Sequence, residues 1–203
     1  MRKLPFVAPA EVAAAVAPVA AAVAGGGVVV LPTESFYGLG ADPRSAAGVE
    51  RIHVLKGRPA ELGLPVLCAD WQQLESLVVV GERYRVKLRR MWPAALTVVL
   101  PMKNAVAAAR GTTLAVRIPA HRELRALLYR VGPLTGTSAN RHGESPCTTV
   151  DDALRSLAGA PELVLDGGTT AGGQPSTLVD LTAAEARVLR VGPCVWDDPL
   201  VVG

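Results

Sequence analysis

Near its amino terminus the chain carries VVVLPTESFYGLG at residues 28–40. The apolar, β-branched run at 28–32 predicts a buried strand. Hydroxyl groups follow at positions 33, 35 and 37, and two glycines, Gly38 and Gly40, allow a ligand to approach the backbone closely. Open α/β sheets bind ligands where their strands end. On spacing alone, however, an ordinary turn with capping hydroxyls is favoured for residues 33–37.

Outward from this stretch, strand-like and helix-like segments alternate. Helices are predicted at 10–24, from the cap Ser45 to Gly57, at 82–92, at 122–131 and after the capping box Thr149-x-x-Asp152. Further strands are predicted at 64–69, 96–100, 114–119, 134–137, 163–166, 177–181 and 188–191. This order predicts an α/β fold with an open, twisted, mixed sheet flanked by helices. Because no linker or repeat divides it, we expect residues 1–203 to form a single domain.

Composition narrows the functional classes. The net charge is +3, which suits anionic ligands such as nucleotides and does not by itself argue for nucleic-acid binding. Three scattered cysteines without C-x-x-C spacing argue against disulfides and a zinc site, so we expect a reducing cytoplasm. No uninterrupted apolar stretch reaches the ~18 residues of a membrane span, so no membrane partner is expected.

Three cations stand at sites where an anion could bind. Lys56 and Arg58 flank a glycine at a helix end, where they could clamp a carboxylate or phosphates. Alternatively, Lys56 complements the carboxyl end of its helix. Arg117 lies on the strand face opposite Leu114 and Val116. A charge there needs either an acidic partner within the protein or an anionic ligand, and we favour the ligand.

Two further segments are less specific. The glycine-rich stretch 166–177 contains neither a Walker A sequence nor G-x-G-x-x-G opening a helix. The cations at 83–90 could meet an RNA backbone, although a solvated helix face is the favoured interpretation. From the residues alone, we therefore expect an α/β protein with a cationic, hydroxyl-rich pocket for an anionic small molecule.

Taken together, the ordered segments resemble the YrdC family. The matching stretches are PTESFYGLGAD at 32–42, ERIHVLKGRP at 50–59, LPVLCAD at 64–70, LAVRIP at 114–119, TSANRHGESPCTT at 137–149, GGQPSTLVDL at 172–181 and VLRVG at 188–192. The resemblance implies a concavity lined by basic residues at the centre of the fold. It also implies synthesis of threonylcarbamoyl-AMP and pyrophosphate from L-threonine, bicarbonate and ATP with Mg²⁺, for modification of tRNA.

The resemblance further implies roles for individual residues. Lys56 and Arg58 would act in catalysis. Threonine would be bound by Ser35, Arg117, Thr137 and Ser176. ATP would be bound by Lys56, Arg58, Thr113, Ser138, Asn140 and Arg190. A downstream threonylcarbamoyl transferase or tRNA itself would be a further partner.

Several positions depart from the family pattern. Leu62 and Gly63 stand where a basic residue and a proline are usual, and Ala94 and Ala95 replace a glycine and a proline. The chain also ends soon after Arg190, so we expect it to lack the extra carboxyl-terminal domain of longer members. Two alternatives stay open: a paralogue that activates a different amine or carbamoyl donor, and an RNA-binding module without catalysis.

Overall fold

The computed structural model describes residues 1–197. In chain order the helices are α1 Pro9–Ala24, α2 Ala46–Lys56, α3 Trp71–Leu77, α4 Glu82–Met91, α5 Arg122–Val131 and α6 Val150–Ser156. The strands are β1 Arg2–Pro5, β2 Val29–Pro32, β3 Tyr37–Gly40, β4 Val66–Leu67, β5 Leu96–Pro101, β6 Thr113–Arg117, β7 Leu134–Thr135, β8 Thr137–Ser138, β9 Leu163–Asp166, β10 Thr177–Asp180 and β11 Arg187–Arg190. Within residues 1–197, no helix is both long and apolar enough to cross a bilayer.

The strands form two mixed sheets. One sheet has the order β1-β9-β2-β3-β8 and the other has the order β11-β10-β5-β6-β4-β7. Each combines parallel pairs, such as β2 with β9 and β5 with β10, with antiparallel pairs such as β2 with β3 and β5 with β6. The predicted mixed α/β class is confirmed, but the strands are divided between two sheets where the sequence analysis expected one.

Strand β2 explains why the run at 28–32 is apolar at every position. Val30 faces the larger hydrophobic core, whereas Val29 and Leu31 face a second core that includes Val19 of α1 and Leu127 of α5. A strand buried on both faces has no polar side, so its residues do not alternate.

Local signals placed the helix ends correctly. The Ser45 hydroxyl accepts from the Gly48 N–H at 3.1 Å, and Gly57 ends α2 in the left-handed conformation with φ 57°. The Thr149 hydroxyl accepts from the Asp152 N–H at 3.2 Å and begins α6. In contrast, β1, β3 and α3 were not predicted. Of these, β3 was missed because its two glycines lower strand propensity, although they allow close packing against neighbouring chain.

The segment from Leu134 to Ser138 passes from one sheet to the other. The predicted strand over 134–137 is in fact two short strands, and β7 pairs with β4 while β8 pairs with β3. Gly136 lies between them, where a Cβ atom would stand 2.6 Å from Cδ1 and 2.7 Å from Cδ2 of Leu67. Thr135 anchors the crossing, because its hydroxyl donates to the Leu39 carbonyl at 3.0 Å and accepts from the Ala41 N–H at 2.9 Å.

Lys56, at the end of α2, is buried beneath this crossing. Its side chain is among the largest that are fully buried, and its ammonium donates to the carbonyl of Ser138 and, at 2.7 Å, to that of Asn140. Burial, and after it the charge of Arg58, lower the pKa of Lys56 to about 8. The lysine therefore joins α2 to the segment that follows β8.

The crossing predicts a large effect of one added methyl group. We expect Gly136→Ala to lower the free energy of unfolding by about 1–3 kcal/mol, because overpacking against Leu67 forces local displacement. Urea unfolding would measure this loss. Gly25→Ala is the matched control: Gly25 has φ −80°, and its Cβ would find its nearest neighbour at 3.5 Å. Equal stability of the two variants would contradict the steric argument.

The lowered pKa of Lys56 predicts how stability depends on pH. Between about pH 8 and the ordinary lysine pKa of 10.5, the unfolded chain keeps a proton that the folded protein has lost, so folding is favoured as pH rises. We expect the free energy of unfolding of the wild type, relative to that of Lys56→Met, to increase between about pH 7.5 and about pH 9.5. A stability difference that stays the same at both pH values in urea unfolding would show that the folded lysine titrates normally.

Candidate active site

A cavity of about 330 Å³ lies between the two sheets. One side is formed by residues around β3 and β8, and the other by side chains of β4, β5, β6, β10 and β11. Seven of the residues assigned from the sequence line it: Ser35, Arg58, Arg117, Thr137, Ser138, Ser176 and Arg190. Segments that are far apart in the chain therefore meet at one site, and its lining is basic.

Three arginines converge on the cavity from different elements. Arg58 follows α2, Arg117 ends β6 and Arg190 ends β11, and the lining residues include no acidic side chain. Burial lowers the pKa of Arg58, and burial together with the charge of Arg117 lowers the pKa of Arg190. An anion that binds between like charges held together in this way relieves the repulsion between them.

Arg117 has both an acidic partner and access to the cavity. Its Nη2 forms an ion pair with Glu34 Oε1, with side-chain exposures of 8% and 20%, and its Nε donates to the Ala94 carbonyl at 3.3 Å. The same Glu34 oxygen accepts from the Ala120 N–H at 2.9 Å. Burial alone would raise the pKa of Glu34, but the charge of Arg117 and the Ala120 hydrogen bond lower it. Glu34 is therefore ionised and fixes the guanidinium at the cavity wall.

Ser176 links a second hydroxyl, that of Thr97, to Arg190. The hydroxyl oxygens of Thr97 and Ser176 are 2.8 Å apart and share a hydrogen bond. Arg190 binds the same serine twice, donating from Nη2 to its hydroxyl at 3.1 Å and from Nε to its carbonyl at 3.0 Å. This double contact fixes the orientation of Arg190 at the rim of the cavity.

Three residues assigned from the sequence do not line the cavity. The Lys56 ammonium is directed at backbone carbonyls, as described above. The Asn140 side chain donates to the carbonyls of Arg141 and Glu144, each at 2.8 Å, and its own oxygen is buried without a hydrogen-bond partner among residues 1–197. Thr113 lies on the same face of β6 as Ala115 and Arg117, which do line the cavity. The roles of these three residues remain predictions.

Thr33 and Tyr37, whose hydroxyls were interpreted from spacing as part of an ordinary turn, also line the cavity. Two residues of the site were not singled out from the sequence: Thr97, which lines the cavity, and Glu34, which holds Arg117. The sequence pattern could have indicated Thr97, because it is a polar residue between the buried Leu96 and Val98. No sequence pattern indicates the role of Glu34, since its pairing with a residue 83 positions away depends on tertiary structure.

The glycine-rich stretch contributes through its backbone. Tyr37 donates its hydroxyl hydrogen to the Gly168 carbonyl at 2.6 Å, and the Gly172 N–H donates to the Ser35 carbonyl at 2.8 Å. These bonds hold the loop after β9 against the cavity wall.

Helix α4, whose cations suggested RNA binding, uses most of them internally. Arg85 pairs with Glu75 and Glu82, and Lys87 lies 3.6 Å from Asp197 and over the Trp196 ring. Arg83 donates to the Ala184 carbonyl. These contacts engage the cations within the protein, which argues against the RNA-binding interpretation of the helix.

Comparison with known proteins agrees with this geometry. The family model for Sua5, YciO and YrdC, described as telomere recombination, matches residues 21–192. A threonylcarbamoyl-AMP synthase of Thiobacillus denitrificans is 39% identical over 170 residues, which is 81% of this chain and 89% of the relative.

Two solved structures are similar over nearly the whole chain. P. abyssi Sua5 complexed with L-threonine superposes with a TM-score of 0.85 and 32% identity over 95% of this chain. This chain spans only 58% of that protein's length. E. coli YciO superposes with a TM-score of 0.80 and 25% identity, and the match covers 95% of both chains. The chain belongs to the Sua5/YciO/YrdC family.

Proposed function

We propose that this chain is a threonylcarbamoyl-AMP synthase, a nucleotidyltransferase that forms L-threonylcarbamoyladenylate and pyrophosphate from L-threonine, bicarbonate and ATP. The observation that carries the proposal is the convergence of Arg58, Arg117 and Arg190 on one hydroxyl-lined cavity. Relatives that carry this enzyme's name, and a family structure solved with L-threonine, support the choice of substrates.

The amino acid would bind at the wall formed by β6 and the β2–β3 turn. Arg117 would take the threonine carboxylate, because Glu34 and the Ala94 carbonyl already hold its guanidinium in place. Ser35, Thr137 and Ser176 supply hydroxyls around the same space for the remaining polar groups of threonine. Fixing the amino acid in this way orients its amine for reaction.

The chemistry then takes two steps. The threonine amine forms a bond to the bicarbonate carbon and loses a proton, water leaves, and a carbamate results. A carbamate oxygen next attacks the α-phosphorus of ATP, while the bond from that phosphorus to the pyrophosphate oxygen breaks. Negative charge develops on the phosphates, and fixed cations are what such a step requires.

Arg58 and Arg190 are suited to stabilise that charge. Both line the cavity, and each is oriented by contacts to the backbone: Arg58 Nη2 donates to the Gly63 carbonyl at 3.0 Å, and Arg190 Nε donates to the Ser176 carbonyl at 3.0 Å. Because Ser176 touches Arg190, the amino-acid and nucleotide subsites would adjoin there. The carbamate and the α-phosphorus would then meet without large movement of either substrate.

Magnesium would enter as part of the MgATP substrate. Among residues 1–197, no group of three or more His, Cys, Asp or Glu side chains could hold a metal ion. The phosphates and water would supply ligands of the ion, and the protein would place cations around the phosphates.

The proposed reaction also implies a downstream partner and a cellular compartment. We propose that the labile adenylate passes to a separate transferase that modifies tRNA, in a reducing cytoplasm that suits the free thiols Cys68, Cys147 and Cys194. A paralogue that activates another amine would keep the same cavity, and a substrate screen would distinguish it.

The first test is product formation with L-threonine, bicarbonate and MgATP, followed by mass spectrometry and by pyrophosphate release. We expect Arg58→Ala and Arg117→Ala each to lower the rate by about 100-fold, because each removes a fixed cation. Arg130→Ala, an exposed change at the end of α5, is the control and should leave the rate unchanged. If wild-type protein binds ATP but makes no such product, the stated reaction is wrong.

A charge-preserving variant tests the specific role of Arg117. We expect Arg117→Lys to raise the KM for threonine by about tenfold. The compact ammonium of a lysine does not reproduce the planar donor geometry that contacts Glu34 and the Ala94 carbonyl, so a charged hydrogen bond is lost. The KM for ATP should stay near that of the wild type. An increase in the KM for ATP alone, in steady-state kinetics, would place Arg117 at the nucleotide.

A further inference from the structure

Arg110 binds three carbonyl groups from two segments of the chain. Its Nε donates to the Ala60 carbonyl at 2.7 Å, and its Nη1 donates to the carbonyls of Ala107 and Ala109, each at 3.0 Å. The guanidinium thus joins the turn that follows Arg58 to the segment before β6. The planar guanidinium makes these bonds with donors in fixed directions, a geometry that the compact ammonium of a lysine does not reproduce.

The two segments differ in how firmly they are held. The Ala108 N–H donates to the Pro43 carbonyl at 2.9 Å, its own carbonyl accepts from the Leu64 N–H at 2.8 Å, and Ala108 and Ala109 are buried. The turn at 60–62 is exposed. The Leu62 N–H donates to the Pro59 carbonyl at 3.2 Å, a bond within the turn itself. The hydrogen bond from Arg110 joins this exposed turn to the buried segment.

The position of the turn matters because it ends at Gly63. The Gly63 carbonyl accepts from Arg58 Nη2 at 3.0 Å, and both residues line the cavity. The Nε of Arg58 is buried and has no hydrogen-bond partner among the described residues, so Gly63 is the group that orients this guanidinium. Displacement of the turn would therefore displace Arg58 at the site.

We infer that Arg110 is a positioning residue for Arg58: it holds the 59–63 turn so that the Gly63 carbonyl aims the Arg58 guanidinium into the cavity. This inference rests on the proposed function, in which Arg58 binds the phosphates of ATP. Arg110 does not itself line the cavity, which places its action in the turn and not on the substrate.

The alternative is that Arg110 acts through its charge. His53, which is 3% exposed, lies close to both arginines: burial, then the charge of Arg110, then that of Arg58 lower its pKa. Both charges therefore act on His53, whereas burial is what lowers the pKa of Arg58 itself. A test must separate the shape of the guanidinium from its charge.

The experiment compares Arg110→Ala, Arg110→Lys, Arg58→Ala and the double variant Arg58→Ala/Arg110→Ala, with Arg130→Ala as the control for loss of an exposed arginine. Binding of MgATP by calorimetry and the KM for ATP are the readouts. We expect both Arg110 variants to weaken binding and raise the KM roughly five- to tenfold, since part of a charged hydrogen bond is lost. The double variant should match Arg58→Ala, because Arg110 acts through Arg58.

Two results would overturn the inference. If Arg110→Lys binds ATP as well as the wild type, charge and not the planar guanidinium is what matters. If the effects of Arg58→Ala and Arg110→Ala add, Arg110 acts independently of Arg58.

Hydrogen exchange separates this inference from the proposed function. We expect the Leu62 and Leu64 amides to exchange faster in both Arg110 variants than in wild type, whatever reaction the protein catalyses. Unchanged exchange would show that Arg110 does not hold the turn. If the wild type makes no threonylcarbamoyl-AMP but exchange is faster in the variants, the proposed reaction fails and the role of Arg110 in the turn stands.

Discussion

Gly136 lies where the chain passes between the two sheets, so close to Leu67 that no side chain fits. Thr135 on one side of it binds the backbone of Leu39 and Ala41 in the neighbouring sheet, and Gly136 itself donates to the Pro65 carbonyl at 2.8 Å. This crossing fixes how the sheets face each other. Because Leu67, Gly136 and Ser138 all line the cavity, the site depends on the same few contacts that join the sheets.

Around this crossing the protein places cations in two different ways. Lys56 is buried completely, and its ammonium donates hydrogen bonds to backbone carbonyls, so its charge is satisfied within the fold. Arg58 and Arg190 instead keep part of each guanidinium at the cavity, and the described residues that line it include no acidic side chain. Arg117 is intermediate, since Glu34 neutralises it in part while it still lines the wall. The result is a site with excess positive charge, held in place by backbone contacts.

Backbone carbonyls recur as the groups that aim these cations. Gly63 holds Arg58, Ser176 holds Arg190 and Ala94 contacts Arg117. A carbonyl orients a guanidinium without cancelling its charge, which a carboxylate would do. This arrangement is suited to a ligand with several anionic groups, because orientation is prepared before binding while attraction is retained. Gly63 and Ala94, two positions at which the resemblance indicates a departure from the family pattern, therefore contact the site through their backbone.

The sequence by itself determined the features that depend on neighbouring residues. The caps at Ser45 and Thr149, the stop at Gly57 and the fully apolar β2 are local patterns, and the ordered motifs placed Arg58, Arg117, Ser176 and Arg190 at one site. Only the tertiary structure decided that the strands form two sheets, that the Lys56 ammonium is directed at carbonyls 82 and 84 residues away, and that Glu34 is the partner of Arg117. These outcomes depend on which distant groups come within hydrogen-bonding distance. No periodicity or capping pattern carries that information, because it is fixed by packing of the whole chain.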